Sequence, residues 1–402
     1  MTDAVRSQPA ATDEHEVVVV GARCAGAATA MLLARQGHDV LLVDRATFPS
    51  DTLSTHAIAR GGVVQLARWG LLDAVVASGA PKIRTASFHF ADGASLTRTI
   101  KDRAGVDHLL APRRHVLDTI LADAAVEAGA TLRTGVAVTG TVSDAAGRVG
   151  GVEVRAADGT VREIRAGMVV GADGVQSRVA RAVGAGMVDE RPSDGAAQYL
   201  YVAGLDGDGF EFHVGDRLFA GVFPTHGGEA NVWICGPADR AVVGGGDRTS
   251  AFLTLLEEAS PSLRERVAHA EVTAPVRTAV GYPNHVRQAA GAGWALVGDA
   301  GYHRDPITGH GITDAFRDAE LLARNLDRAL RGEVTEAEAM TQYGCERYEA
   351  LAPIFDVTCR LAQFPPLDEF VARQKQLSDL IETEAEWLAA LPDLPDADLV
   401  AA

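Results

Sequence analysis

The most constraining feature of the chain lies near its start. An uninterrupted apolar, β-branched run ending at Val20 stops at Gly21, passes through Ala22, Arg23, Cys24 and Ala25 to Gly26, and continues as helix-forming sequence to Gln36. A run that is apolar at every position has no solvent face, so Glu16 to Val20 predicts a strand of a parallel sheet covered on both sides. Gly37 is placed to terminate the helix, and Asp39 to Val43 resumes as a second apolar strand closing on Asp44-Arg45. The result is a βαβ unit of about thirty residues. In such a unit the first glycine permits a tight turn and Gly26 lets the helix pack closely. The helix N-terminus offers N–H groups to a pyrophosphate, and the carboxylate ending the second strand suits ribose hydroxyls. Arg23 stands where that fingerprint has its middle glycine, so these six residues alone leave a plain tight turn open.

The pattern continues in the same style. Residues 51–79 read as loop then helix, and 86–100 as a hairpin around Asp92-Gly93. Apolar positions recur at helical spacing from Arg114 to Glu127, and strands are expected at about 131–138, 149–155, 160–165 and 168–171. From 186 to 274 short strands suggest a second, mostly antiparallel sheet inserted into the first domain. Trp294 to Val297 resumes a buried strand and ends at Gly298-Asp299, followed by a helix from about Gly311 to Ala329. Beyond 331 the chain reads as helical, broken by Pro353 and Pro365-Pro366, with an acidic tail. The expected fold class is α/β: a Rossmann-like nucleotide-binding domain (15–80, 109–185 and 275–330), an inserted antiparallel sheet domain (81–108 and 186–274) and C-terminal helices (331–402).

Composition narrows the function classes. With 402 residues, 47% of them hydrophobic, the chain can bury a sizeable core. Lys+Arg 37 against Asp+Glu 54 gives a net charge of −17, which repels phosphate backbones and anionic lipid heads, so no nucleic-acid partner is expected. The four cysteines, at 24, 235, 345 and 359, have neither zinc spacing nor the density of a disulfide framework. With no signal-like apolar segment and no long uncharged apolar run, the expected location is the cytoplasm, without a membrane span. The histidines lack metal spacing, and no metal is expected.

The chain resembles the FAD-dependent aromatic hydroxylases of the p-hydroxybenzoate hydroxylase fold and their relatives among the geranylgeranyl reductases. The resemblance spans roughly residues 15 to 365 and rests on an ordered set of motifs: the Gly21 loop with Asp44-Arg45, Arg114 to Leu117, Gly171-Ala172-Asp173-Gly174 with Ser177, and Gly298-Asp299 with the Pro306 to Gly311 loop. It implies that Gly21 to Gly26 hold the FAD pyrophosphate and that Asp44-Arg45 meets the AMP ribose. Arg114 would reach the flavin side and Asp299 the ribityl chain, with Gly309, Gly311 and Ile312 against the flavin edge. Thr55 and Val138 are implied as further cofactor contacts, and Pro306 as a residue of the reacting face.

The implied activity is monooxygenation. NAD(P)H would reduce FAD, O2 would form a flavin C4a-hydroperoxide, and a small apolar aromatic, polyketide or isoprenoid substrate would be hydroxylated or epoxidised. No second glycine-rich fingerprint exists for a nicotinamide, so NAD(P)H would bind without its own domain, or a separate flavin reductase would supply electrons. The alternative is an isoprenoid double-bond reductase. A halogenase is a weaker one, since the paired-tryptophan motif is missing and Lys82 reads as an exposed residue. A non-catalytic binding module is the remaining reading.

His56, in the polar loop Asp51 to His56, and His310, where the hydroxylases commonly have glutamine, are candidate proton handlers, each against the simpler reading of a hydrogen-bonded loop residue. Tyr201, Phe212 and Phe223 are the expected substrate wall on the inserted sheet, against the simpler reading of core aromatics. Cys24 reads as a small packing residue.

Overall fold

The structure is a computed structural model that describes residues 13–156, 158–281 and 283–395. The apolar run at the start of the chain is the central strand of the first sheet. Glu14–Val20 pairs in parallel with Val40–Asp44 on one side and Val161–Gly171 on the other. The sheet extends to Thr131–Thr134 beyond the former and to Trp294–Leu296 beyond the latter. Val17, Val18 and Val19 are fully buried, as a strand covered on both faces requires. One cover is the helix Cys24–Arg35, which packs against Arg114–Glu127 and Gly311–Leu330.

Two strand boundaries differ from expectation, each for a reason involving one glycine. Strands expected at 160–165 and 168–171 are one strand, Val161–Gly171. Gly167 does not interrupt it, because a Cβ there would meet the Glu16 carbonyl oxygen at 2.8 Å, and glycine lets the neighbouring strand lie alongside. Conversely, 131–138 divides into Thr131–Thr134 and Ala137–Ser143, because Gly135 turns the chain at φ +69°.

The second sheet has seven strands, built from 85–99 and 195–280. It runs to Val280 rather than stopping at 274, because Glu271–Val280 pairs antiparallel with Gly195–Ala203. One contact in it is parallel, between Phe210–Val214 and Thr85–Phe90. Side chains alternate across it. Leu200, Val202, Val222, Val232 and Ile234 meet the helices Arg248–Ala259 and Pro261–Val267, whereas Tyr199, Tyr201, Phe219, Phe223 and Trp233 share a cluster with the C-terminal helices. Gly221 makes room for that aromatic face: a Cβ there would come within 2.3 Å of the Trp233 ring.

The C-terminal region is helical, but Pro353 does not break it. Glu336–Leu361 is continuous, opened by a Thr335/Glu338 capping box. Pro353 and Glu349, whose carbonyl the proline leaves unbonded, are both exposed, so water can satisfy that carbonyl. The flanking Leu351, Ile354, Phe355 and Val357 are buried and hold the helix together. Leu367–Ala390 follows, and the acidic tail beyond 395 lies outside the described residues. Among the described residues no helix is long and apolar enough to cross a membrane.

Candidate functional site

Three motifs far apart in sequence meet at the C-terminal edge of the first sheet, where ligands of open α/β folds bind. Gly21, at φ +103°, lies so close to the next strand's turn that a Cβ would meet the Ala172 carbonyl oxygen at 2.4 Å. A Cβ on Gly26 would fall 1.7 Å from the Gly21 carbonyl oxygen, so any side chain there pushes the helix off the turn. Gly298, at φ +55°, rests against Ala25, with 2.9 Å between the Cβ it would carry and that of Ala25.

The helix Cys24–Arg35 has no side-chain cap and no acidic residue in its first turn. Its N-terminal N–H groups thus have no carboxylate of the first turn competing for them, which fits a pyrophosphate. Asp44 braces the turn, its oxygens accepting from Ala22 N–H and Ala46 N–H, each at 2.7 Å. Each oxygen keeps a lone pair for a ribose hydroxyl, while Arg45 points to solvent.

Arg23, in the middle-glycine position, turns toward the helix Arg114–Glu127. Its guanidinium donates to Asp118 at 3.0 Å and to Ser50 Oγ at 3.2 Å. Asp118 is fully buried and also accepts from Arg114, at 2.9–3.1 Å, and from Cys24 Sγ at 3.2 Å. Two guanidinium groups on one carboxylate leave a net positive charge beside the helix N-terminus, which again suits a phosphate. Burial first, and the Asp118 charge second among the effects that raise it, push the Cys24 thiol up, so it is a packing thiol and not a thiolate. Val138 is buried in the core on the far face of the sheet.

Asp299 sits on the turn Gly298–Ala300. Solvent reaches its side chain, yet the surrounding protein raises its pKa, with His303 and Arg114 opposing, as expected in a groove rather than on an outer surface. Pro306 and Gly311 are also exposed, and the helix Gly311–Leu330 has no side-chain cap from His310, its N-cap residue. The loop between them is tied down from outside. Asp305 accepts from Ile307 N–H at 3.0 Å and from Ser193 Oγ at 2.6 Å, which fastens the loop to the segment leading into Gly195–Ala203.

Beneath this loop lies a buried network of charges. Arg304 and Arg317 donate to Asp314, and Arg317 and Arg347 to Asp318. Glu384, from the last helix, accepts from Arg317 at 2.9 Å and pairs with His310 Nε2 at 2.5 Å. His310 is 1% exposed, so its side chain faces the last helix and not the groove. Burial alone would raise the Glu384 carboxyl, but the charges and hydrogen bonds of His310 and Arg317 outweigh it and hold the pKa at about 2.

The groove meets the aromatic sheet at His56. Its backbone has φ +68°, uncommon for a residue with a side chain. The side chain is 1% exposed, and Nε2 contacts the Tyr201 hydroxyl. The imidazole stacks on the Tyr201 ring at 5.6 Å, and the Arg113 guanidinium lies 3.8 Å from that ring's centroid. Burial, then the charges of Arg114 and Arg113, hold the His56 pKa well below the usual histidine range, so the ring is neutral. Burial raises the Tyr201 pKa, so its O–H stays protonated. Gly309 comes against Ala57, with 3.6 Å from its would-be Cβ to that of Ala57, and Ile307 belongs to the cluster that holds Tyr201 and Phe223. Thr55 is half-buried in the same loop, and Phe212 is partly buried at the edge of the cluster.

The glycine turn, Asp299 and the flavin-loop residues therefore converge, and so do His56, Tyr201 and Gly309. Arg114 is engaged on its own helix, and Arg113, which sequence reading passed over, is the cation over the aromatic face. Asp118 and Glu384 were also missed. The former is legible only as the i+4 partner of Arg114, and the latter sits in a helix without local signal. Asp173 caps the helix Arg178–Ala182, accepting from Arg178 N–H at 2.6 Å and from Ser177 Oγ at 2.5 Å.

Comparison with known proteins agrees with this geometry. Residues 14–357 match the family described as FAD binding domain, and the chain belongs to that family. It is an FAD-dependent oxidoreductase. It is 30% identical over 392 residues to digeranylgeranylglycerophospholipid reductase 1 of Methanopyrus kandleri, covering 92% of this chain and 97% of that one. Its similarity to the corresponding reductase of Methanocella arvoryzae is 26% over 360 residues, 87% of each chain. Among solved structures, the flavin-dependent brominase Bmp2 matches with TM-score 0.79 at 18% identity, over 96% of this chain and 97% of that one. Pseudomonas aeruginosa PqsL, described as a probable FAD-dependent monooxygenase, matches with TM-score 0.74 at 22% identity, over 92% of this chain and all of that one (100%).

Proposed function

We propose that the chain is an FAD-dependent reductase that saturates a carbon–carbon double bond of an apolar, isoprenoid-type substrate, with Tyr201 as the proton donor and His56 as its partner. The observation that carries this reading is the buried Tyr201–His56 pair where the flavin loop meets the aromatic sheet. Gly21 to Gly26, Asp44, Asp299, Gly309, Gly311 and Ile312 would hold FAD, and the close approaches at Gly21 and Gly26 fit that group. Thr55 and the Val138 backbone complete the contact set. Bound FAD would supply a hydride equivalent. Its electrons come from NAD(P)H or from a separate flavin reductase.

The chain's own residues do the rest. Saturating an alkene requires one proton besides the hydride, and the Tyr201 O–H, kept protonated by burial within the aromatic cluster, is the donor. The neutral His56 accepts a hydrogen bond from the Tyr201 O–H and fixes its orientation, the Arg113 guanidinium over the ring stabilises the phenolate left when that proton is transferred, and solvent restores the proton. Tyr199, Phe212, Phe223 and the C-terminal helices exclude water from that face. His310 and Pro306 serve in position: His310 anchors the loop to Glu384, and Pro306 sets its first turn.

The sequence first suggested monooxygenation. Its support is likeness of fold at 22% identity or less, whereas the relatives similar in sequence at 30% carry reductase names. Lys82 is exposed, and the halogenases that share the fold do so at 18–20% identity, which carries the fold alone. The test is anaerobic turnover of a geranylgeranyl alcohol by FAD-loaded enzyme with dithionite. A product heavier by two hydrogens, with a rate about 10²–10⁴-fold lower in Tyr201→Phe, is expected. A product formed only with O2 and heavier by one oxygen would overturn the reductase reading in favour of the monooxygenase.

A further inference from the structure

On the face of the second sheet opposite the aromatic cluster, three side chains from two neighbouring strands converge. His89 of Thr85–Phe90 lies directly across the ladder from His213 of Phe210–Val214, and Glu211 is two residues before His213 on the same face. One ligating atom of each lies within 4.8 Å of the others. We propose that His89, Glu211 and His213 form a binding site for a divalent cation of the zinc class, separate from the flavin groove.

The donor set selects the ion. Two imidazoles and a carboxylate, without a thiolate, suit Zn²⁺, Co²⁺ or Ni²⁺, whereas Ca²⁺ and Mg²⁺ require an oxygen shell. Ser260 Oγ lies 2.8 Å from His213 Nδ1. Assigning the ring proton there leaves a lone pair on Nε2, as in metal-bound histidines whose other nitrogen is held by an outer partner. His213 is 3% exposed, and its Nε2 is buried with no hydrogen-bond partner. That atom faces Glu211 Oε2 at 3.5 Å. With that tautomer both atoms are acceptors that a cation can bridge, and 3.5 Å is close to the ~3.4 Å edge of a tetrahedron with metal–ligand bonds of about 2.0–2.1 Å.

The third ligand, His89, is half-buried, stacked on His213 at 4.5 Å, and reaches the site by a side-chain rotation. Its exposed side gives the ion an entry path and leaves a coordination position for water. Arg266 competes for the carboxylate, donating to Glu211 at 2.5 and 2.9 Å and to the Asp206 carbonyl at 2.6 Å, and at 37% exposure its side chain can give up the carboxylate to an ion at the cost of those bonds. The bound ion would tie the 85–99 hairpin to the rest of the sheet. The sequence could not show this site, because His89 is more than a hundred residues from Glu211 and His213 and the three have no motif spacing.

The test uses the FAD-loaded full chain, stripped with a chelator and titrated with ZnCl2 by calorimetry and with CoCl2 by visible absorption in the cobalt region. One ion per chain is expected, with affinity falling at least tenfold in His89→Ala and in His213→Ala. Arg266→Gln should bind more tightly than the parent. The flavin spectrum should not change in any of them. His89→Ala removes only a half-buried ring, so an apo melting temperature equal to the parent's is expected and is measured alongside. No binding by the parent, or full affinity in both histidine variants, would overturn the proposal.

Discussion

Glu384→Ala removes the one contribution of the last helix to the charge network under the flavin loop. In the parent, Arg304, Arg317 and Arg347 face Asp314, Asp318 and Glu384, so the buried guanidinium and carboxylate charges balance. Glu384 is 6% exposed and loses two partners at once, Arg317 at 2.9 Å and His310 at 2.5 Å. Breaking a buried pair by deleting one partner costs about 3–5 kcal/mol, because the remaining charge is uncompensated. Unfolding entropy of about 2.1 cal/mol/K per residue gives roughly 0.8 kcal/mol/K for a chain of 402 residues. The melting temperature of the FAD-loaded protein should therefore fall by about 4–6 °C. Glu384→Gln keeps the shape and loses the charge, and should recover only part of the loss. Calorimetry or flavin fluorescence during heating measures both. A melting point within about 1 °C of the parent would refute the claim that this network holds the loop.

Gly26→Ala should abolish FAD loading, since its Cβ would lie 1.7 Å from the Gly21 carbonyl oxygen; the ratio of flavin to protein absorbance after purification reads it. Stability should fall with acid in two windows. Burial first, then Arg287 and His303, depress His285 to about 4, so the unfolded chain binds more protons between about pH 6.5 and 4, and stability is lost across that range. Glu384 and Glu211 are held at about 2 against an ordinary 4.5, so their contribution is full above about pH 5 and is lost as pH falls toward 2. Urea midpoints measured from pH 7 to 3 check both windows, and a flat profile would contradict the burial of these groups. His56→Ala should lower turnover with little change in flavin content, because it touches Tyr201 rather than the glycine turn; steady-state kinetics beside the flavin spectrum separates the two.

The parallel core was legible because a strand buried on both faces must be apolar at every position, and Val17 to Val20 has no other use. The same holds for Gly21 and Gly26, whose lack of a side chain is required by contacts the pattern already implies. Pro353 misled because proline ends a helix only where packing does not hold both sides of it. The side-chain geometry of the site was less legible. His310 was expected beside the flavin, and only the structure shows it turned into the protein by Glu384, 74 residues further on. Tyr201 and His56 were singled out separately, one as wall and one as proton handler. Their pairing depends on how the inserted sheet docks, which no local spacing encodes.

The account rests on FAD binding at the junction of the Gly21 turn, Asp299 and the loop before Gly311. The most direct measurement is the visible spectrum of the purified chain, before and after incubation with FAD and removal of unbound cofactor. A flavin spectrum at one FAD per chain, lost in Gly26→Ala, is the predicted result. A colourless protein that retains no FAD after reconstitution would contradict it.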